Sequence, residues 1–371
     1  MSFTDPSPSK NTILFCATDP GGANNVGPVA AELRDQFSTL VLCSARTQKL
    51  FDDLSVSAEV AEISDYNAAC RILTEIQPDI IVLGTSVPDR PEALLTQAAN
   101  ALGVPTIAIL DEWYLYALRF QSKDGRFTHL PTAICCQDEL ARNEAIAEGI
   151  PDHLLKITGS PALSLMFDQI RENRQLTRNT LVSSTPTLLF ISEQMAAAFG
   201  SAPGESGFVG NFMGYTELEV RNDIADILTQ LGQPCQVFEK LHPNEFELIA
   251  PPERGTNVDW RIMLAGASLS DAIQGATAVI GMRSIALLEA AMMENRPASY
   301  QPGRLGKDQC TAVRLGLADR LSTKDALKEW MEYTLFCNTP SPSQIDRPLF
   351  ATTEAITNVC AIVETELYQH W

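Results

Sequence analysis

Asp111 and Glu112 stand side by side after the β-rich run Pro105–Leu110, with Trp113 and Tyr114 following. A carboxylate at a strand end, partly desolvated by an aromatic ring, suits a general base that takes a proton from a hydroxyl. Of two adjacent carboxylates, one is expected to face a ligand. Asp19 opens a second stretch, Asp19-Pro20-Gly21-Gly22-Ala23-Asn24-Asn25, again after an apolar run. Gly21 and Gly22, with Asn24 and Asn25 behind them, let backbone N–H groups and a helix start face an anionic or hydroxyl-rich ligand. The spacing is not the Gly-x-Gly-x-x-Gly of a dinucleotide turn, so hydride transfer is set aside. His242 ends a third run and precedes Pro243, whose ring fixes the turn. Its imidazole can donate to a phosphate oxygen or stabilise a departing nucleotide diphosphate. The fourth stretch, Ala278 to Ala291, reads as a strand, a turn at Gly281 and a helix capped by Ser284. Free N–H groups around Ser284 and Ile285, the Ser284 hydroxyl and the charge of Arg283 suit a phosphate. Glu289 can grip a ribose diol through two hydrogen bonds.

Placing these groups at strand ends calls for parallel sheets wrapped by helices, and the pattern agrees. Expected strands are Thr12–Thr18, Thr39–Ser44, Glu59–Ile63, Asp79–Gly84, Pro105–Leu110, Ala133–Gln137 and Leu155–Thr158, with helices at Asn25–Gln36, Pro91–Leu102 and Glu139–Glu148. A second series has strands Thr187–Ser192, Cys235–Lys240, Ala278–Gly281 and Ala298–Tyr300, and helices Glu217–Leu231, Ile285–Met293 and Ala326–Phe336. The fold class is therefore α/β, with two Rossmann-like βαβ domains expected to face each other across a cleft. The expected division is a disordered lead-in at 1–10, a first domain at 11–165, a connection at 166–184, a second domain at 185–349 and a final helix at 350–371. Ile356, Val359, Cys360, Val363 and Leu367 recur at helical spacing, so that helix can cross back to the first domain. The glycine-rich stretch from Ser192 to Tyr215 reads as a mobile lid.

Lys and Arg total 27 against 46 Asp and Glu, a net charge of -19, which repels phosphate backbones and anionic headgroups. No nucleic-acid partner is expected. No apolar run is long enough to span a bilayer, and the polar start lacks a secretory core, so a cytoplasmic protein is expected. The nine cysteines fall mostly within apolar runs, as small hydrophobes in a reducing compartment do. The four histidines are scattered and no Cys-x-x-Cys occurs, leaving no sequence support for a structural zinc site.

Asp19–Asn25, the run Pro78–Thr85 ahead of a helix, Thr158-Gly159-Ser160-Pro161, Leu241-His242-Pro243, and Ser284 with Glu289 together resemble the two-domain GT-B glycosyltransferases and their relatives, the non-hydrolysing nucleotide-sugar 2-epimerases. The His-Pro pair is also similar to that of bacterial capsule-type transferases that use cytidine donors. The resemblance implies a donor nucleotide on the second domain, held by His242, Pro243, Arg283, Ser284 and Ile285, with Glu289 at the ribose. It implies Asp111, Glu112 or Asp19 as base, with His242 assisting, and Gly21, Gly22, Asn24 and Asn25 on the acceptor side. The epimerases carry a Gly-Thr-Arg-Pro-Glu-like first loop and a Ser-Gly-Gly phosphate turn, where this chain has Asp19-Pro20-Gly21-Gly22 and Arg283-Ser284-Ile285. That departure favours a transferase of polysaccharide biosynthesis, moving a sugar from a UDP- or CMP/CDP-linked donor to a hydroxyl acceptor. A 2-epimerase, or a non-catalytic sugar-nucleotide binding subunit, is the alternative. No Asp-x-Asp occurs, so the expected reaction needs no metal and no cofactor, and a homo-oligomer is left open.

Overall fold

The computed structural model describes residues 10–86, 91–122, 124–177, 185–242, 250–263, 267–293, 295, 297–337 and 354–369. The expected lead-in falls almost wholly outside them, as does Pro243. The chain divides into two compact units, Met1–Leu176 with Arg347–Trp371, and Thr177–Asp346.

Unit 1 contains strands β1 (Thr12–Ala17), β2 (Ser38–Cys43), β3 (Glu59–Val60), β4 (Ile80–Leu83), β5 (Thr106–Ile109), β6 (Ala133–Cys136) and β7 (Leu155–Ile157). All pair in parallel, in the order β3-β2-β1-β4-β5-β6-β7. Between them run α1 (Pro20–Leu33), α2 (Gln48–Asp53), α3 (Tyr66–Ile76), α4 (Pro91–Leu102) and α5 (Glu139–Ala147), and α6 (Pro161–Thr177) follows β7. Parallel strands covered on both faces must be apolar throughout. β1, β4, β5 and β6 are: Ile13, Phe15, Val82, Ile107 and Cys135 meet α1 on one side, and Leu14, Cys16, Ile81 and Leu83 meet Leu73, Leu95 and Ala98 on the other.

Unit 2 contains β8 (Thr187–Ile191), α7 (Met195–Phe199), α8 (Glu217–Leu231), β9 (Cys235–Lys240), β10 (Val258–Met263), α9 (Leu269–Gly275), β11 (Ala278–Gly281), α10 (Ala286–Met292), β12 (Pro297–Tyr300), α11 (Thr311–Arg314), β13 (Asp319–Leu321) and α12 (Lys324–Met331). Its sheet is also parallel, in the order β10-β9-β8-β11-β12-β13. The last helix, α13 (Ala355–Gln369), returns to unit 1, where Val359, Val363 and Leu367 join the core beside α1.

In each sheet the chain reverses its direction of travel between the first strand and the fourth, which makes β1/β4 and β8/β11 the topological switch points where ligands of such sheets bind. Several expectations need correction. α1 begins at Pro20 rather than Asn25, because Asp19 caps it and proline fits the first helical position. The charged stretch expected to connect the domains is helical as far as Thr177 in α6. β10 and β13 were not expected: β10 alternates buried Val258 and Trp260 with exposed Asp259 and Arg261, as an edge strand does. The stretch expected as a mobile lid carries α7 and a tight antiparallel bridge from Ser206 to Asn211, and the N–H groups of Val209 and Gly210 donate to the Ala198 carbonyl.

Candidate functional site

At the switch point of unit 1 the chain leaves β1 and caps α1 with Asp19, whose Oδ1 accepts the Gly22 N–H at 3.0 Å. Gly21 and Gly22 thus belong to the first helical turn, and the Ala23 N–H goes back to the Asp19 carbonyl. The glycines expected to place a helix start before a ligand form the first turn of α1, capped by Asp19. The glycines serve close approach: a Cβ on Gly21 would collide with the Asp111 carboxylate, and Gly22 lies against the Cα of Gly84 beyond β4. Asn25 is structural as well, since its Oδ1 accepts from the Ser160 hydroxyl at 3.0 Å and the Ala162 N–H at 3.2 Å. Asn24 is exposed.

Asp111 follows β5, two strands away from β1 across β4, and comes beside Asp19. Its Oδ1 accepts from the Arg119 guanidinium at 2.6 Å and the Thr85 hydroxyl at 3.3 Å. Arg119 is buried, and the same Nη1 also reaches the Thr85 carbonyl at 2.8 Å. Burial works against its charge, but Asp111, Tyr114 and Glu112 more than offset that and raise its pKa. Leu115, between Asp111 and Arg119, holds a left-handed backbone at φ 56, a conformation a branched side chain adopts only under constraint. The constraint is visible: Trp113 Nε1 donates to Asp138 at 2.8 Å and the Tyr116 hydroxyl donates to Glu144 at 3.2 Å, so both rings anchor this loop to α5. Trp113, expected beside a base, is wholly buried and fixes this loop through Asp138. Of the adjacent acids, Asp111 joins Asp19, and Glu112 is half-buried with its carbonyl accepting from Gln137 at 3.4 Å.

Asp19 Oδ2 is buried with no hydrogen-bond partner. Burial first, then the charge of Asp111, raises the Asp19 carboxyl to about 7. Glu92, in the first turn of α4, also contributes: it is buried and accepts from the Thr18 N–H at 2.7 Å, the Thr18 hydroxyl at 2.8 Å and the Ser86 hydroxyl. Sequence reading missed it, although Pro91-Glu92 at a helix start was a usable signal.

At the switch point of unit 2 a turn joins β11 to α10 at the residues expected to hold a phosphate, and its N–H donors are taken. Glu193, just after β8, accepts at one oxygen from the N–H groups of Met282 (3.3 Å), Arg283 (2.7 Å) and Ser284 (2.9 Å). Helix α10 starts at Ala286 with Ile285 at its cap position, and the Ser284 hydroxyl accepts the Ala286 N–H at 3.2 Å. Arg283 places Nε 3.3 Å from the other Glu193 oxygen, donates to Gln309 at 2.8 Å and lies 4.6 Å over the Phe199 ring. Burial pushes the Glu193 carboxyl up, opposed by Arg283 and the three N–H donors. His242 shares this neighbourhood, its pKa lowered by burial and by Arg283, so the imidazole is neutral at pH 7. The Tyr215 hydroxyl is buried without a partner, and burial and Glu193 push its pKa up. Glu289 is raised to about 7 by burial alone. Among the described residues, no cluster of three or more His, Cys, Asp or Glu is arranged to hold a metal, and no helix is long and apolar enough to cross a membrane.

No family model matches the sequence, and no curated protein matches it. Solved structures do match the fold. The UDP-GlcNAc 2-epimerase of Methanocaldococcus jannaschii, in complex with UDP-GlcNAc and UDP, superposes with a TM-score of 0.63 at 11% identity, covering 96% of this chain and 99% of that one. The UDP-GlcNAc 2-epimerase of Neisseria meningitidis, bound to UDP-GlcNAc, gives 0.60 at 13% identity, covering 96% and 100%. Anabaena HepE, in complex with UDP and glucose, gives 0.55 at 13% identity, covering 96% and 95%. The likeness establishes the fold: two parallel-sheet α/β units of the GT-B type.

Proposed function

We propose that the protein is an enzyme of nucleotide-linked sugars that breaks the bond between the anomeric carbon and the nucleotide phosphate, and that its reaction is 2-epimerisation. The carboxyl pair at the switch point of unit 1 carries this reading. Epimerisation at the carbon beside the anomeric centre needs one group to take a proton and one to return it on the opposite face. Asp111, bound by Arg119, and Asp19, with its carboxyl near 7, meet those two demands at neutral pH. The C1–O electron pair leaves with the nucleotide as the C2 proton passes to Asp111. The glycal then takes a proton from Asp19, and the nucleotide returns to C1. Unit 2 supplies the nucleotide side through Arg283, neutral His242 and Glu289, whose carboxyl suits a ribose diol. The solved epimerases with the same fold add support.

Incubation with a panel of nucleotide sugars in D2O, without acceptor, tests the reading. Deuterium at C2 together with the 2-epimer is expected, and absence of both from every donor overturns it. Transfer to an acceptor hydroxyl is kept as a second reading for one observation: the two stretches read Asp19-Pro20-Gly21-Gly22 and Arg283-Ser284-Ile285, so neither carries the epimerase-like sequence. Nucleotide release that depends on an added acceptor would favour it.

A further inference from the structure

The turn after β11 has the form of an anion recess, with three successive backbone N–H groups converging on one point. That point holds the Oε1 of Glu193. The carboxylate is firmly placed, because Glu193 lies two residues past the end of β8: the Ser192 N–H between them donates to the Lys240 carbonyl at 2.9 Å, and the Glu193 carbonyl accepts the Met195 N–H at 2.9 Å. Only 8% of Glu193 is exposed, so the recess is closed as well as neutralised.

Arg283 is bound on three sides, by Glu193, Gln309 and the Phe199 ring. His242 adds no charge at pH 7. Asp308, the acid beside the buried Tyr215 hydroxyl, is matched by Arg320 at 2.9 Å, and burial raises the Glu289 carboxyl to about 7, so neither adds a free cation for a second phosphate. A phosphate entering the turn would have to strip three charge-assisted hydrogen bonds from a buried carboxylate. A phosphate lying beside it would meet a like charge at close range. Each additional phosphate adds to that repulsion.

We propose that Glu193 is a specificity-determining residue: by filling the anion recess of the 282–284 turn, it makes unit 2 take a nucleotide with one phosphate in preference to one with two. This rests on unit 2 being the nucleotide half of the enzyme, but not on the fate of the sugar. It sets the chain apart from the neighbours solved with UDP. The sugar nucleotide it takes is thus joined to its sugar through a single phosphodiester.

Calorimetric titration of the full chain with UMP, UDP, CMP and CDP tests the proposal. The wild type is expected to bind the monophosphate of the preferred base at least tenfold more tightly than its diphosphate. Glu193→Gln removes the charge and Glu193→Ala also opens the recess. Both are expected to tighten diphosphate binding by tenfold or more and monophosphate binding by less, so that the wild-type preference narrows or reverses. A wild type that prefers the diphosphate overturns the proposal and leaves the nucleotide reading standing, whatever the variants do. A wild-type preference for the monophosphate that neither variant relaxes also overturns it. Failure of all four nucleotides to bind a folded wild type overturns both.

Discussion

Asp19 keeps its proton to about pH 7 because its Oδ2 is shut away from water and because Asp111 stands beside it. The folded chain therefore holds this proton over a range in which the unfolded chain, with an ordinary carboxyl near 4, has released it. The associated stability is complete below that unfolded value and is lost as the pH rises through 7. Wild-type protein is expected to unfold at lower urea at pH 8 than at pH 5. Glu289, also raised to about 7, contributes to the same loss. Asp19→Asn still offers Gly22 an acceptor but cannot ionise, so its loss between the two pH values should be smaller by roughly 2–4 kcal/mol. Parallel pH dependences in urea titrations of the two proteins would refute this. Asp111→Asn should instead lower turnover by about 10²–10⁴-fold and leave nucleotide affinity unchanged, a contrast that rate and binding measurements on one preparation can resolve. Asp19 and Asp111 were legible in the sequence because each ends an apolar strand run. Glu193 was not, because its partners lie about 90 residues away in the chain and only the sheet order brings them together; Glu92 had a helix start to mark it, but nothing local pointed to Thr18, 74 residues away.

At the scale of elements, the geometry of the carboxyl pair depends on how closely α1 approaches β4. Gly22 in the first turn of α1 and Gly84 after β4 touch through their backbones, and a Cβ on Gly84 would stand 2.9 Å from the Gly22 Cα. Both contacting atoms are main chain, so neither can rotate away. Gly84→Ala must push the start of α1 outward and carry Asp19 with it, at about 1–3 kcal/mol. Gly275, at the end of α9 with open space around it, is the matched comparison, and Gly275→Ala should stay within about 0.5 kcal/mol of wild type. Urea midpoints and turnover for both variants check this: Gly84→Ala should lose stability and activity together, and full activity in it would mean that α1 does not set the pair. The apolar strands at the centre of both sheets, and helices with clear starts such as α4, α5 and α8, were readable from pattern alone. β10 and β13 escaped because edge strands need only one buried side and carry charges such as Asp259, Arg261 and Arg320. The true start of α1 escaped because a Pro-Gly-Gly sequence reads locally as a turn, whereas the Asp19 cap and the glycine contact favour a helix there.

Over the whole molecule, the two units repeat one strand order, and each keeps its candidate site residues at its own switch point. They differ in how the core is completed. Unit 2 closes its core within Thr177–Asp346, whereas unit 1 takes its last layer from the far end of the chain, in α13. Val359 and Val363 are wholly buried there and Leu367 is 1% exposed, in the same cluster as Val26, Val29 and Leu33 of α1. The helical spacing of these residues was visible in the sequence, but their seat was not, because spacing reports an apolar stripe and not what covers it. Leu367→Ala leaves a cavity against α1 and should cost about 2–5 kcal/mol, with Val363→Ala costing less because fewer methyl groups are lost. The loss should be local. Amide hydrogen exchange in β1, α1 and β4 is expected to speed up, while peptides from β8, β9 and β11 keep wild-type protection, because α13 belongs to the core cluster of unit 1 and those strands belong to a separate cluster in unit 2. The same variant should weaken reactions that depend on Asp19 and Asp111 before it affects nucleotide binding to unit 2. Equal loss of protection in both units would show that they unfold as one cooperative body, and the C-terminal helix would then be a support for the entire chain instead of a late-arriving part of the first unit's core.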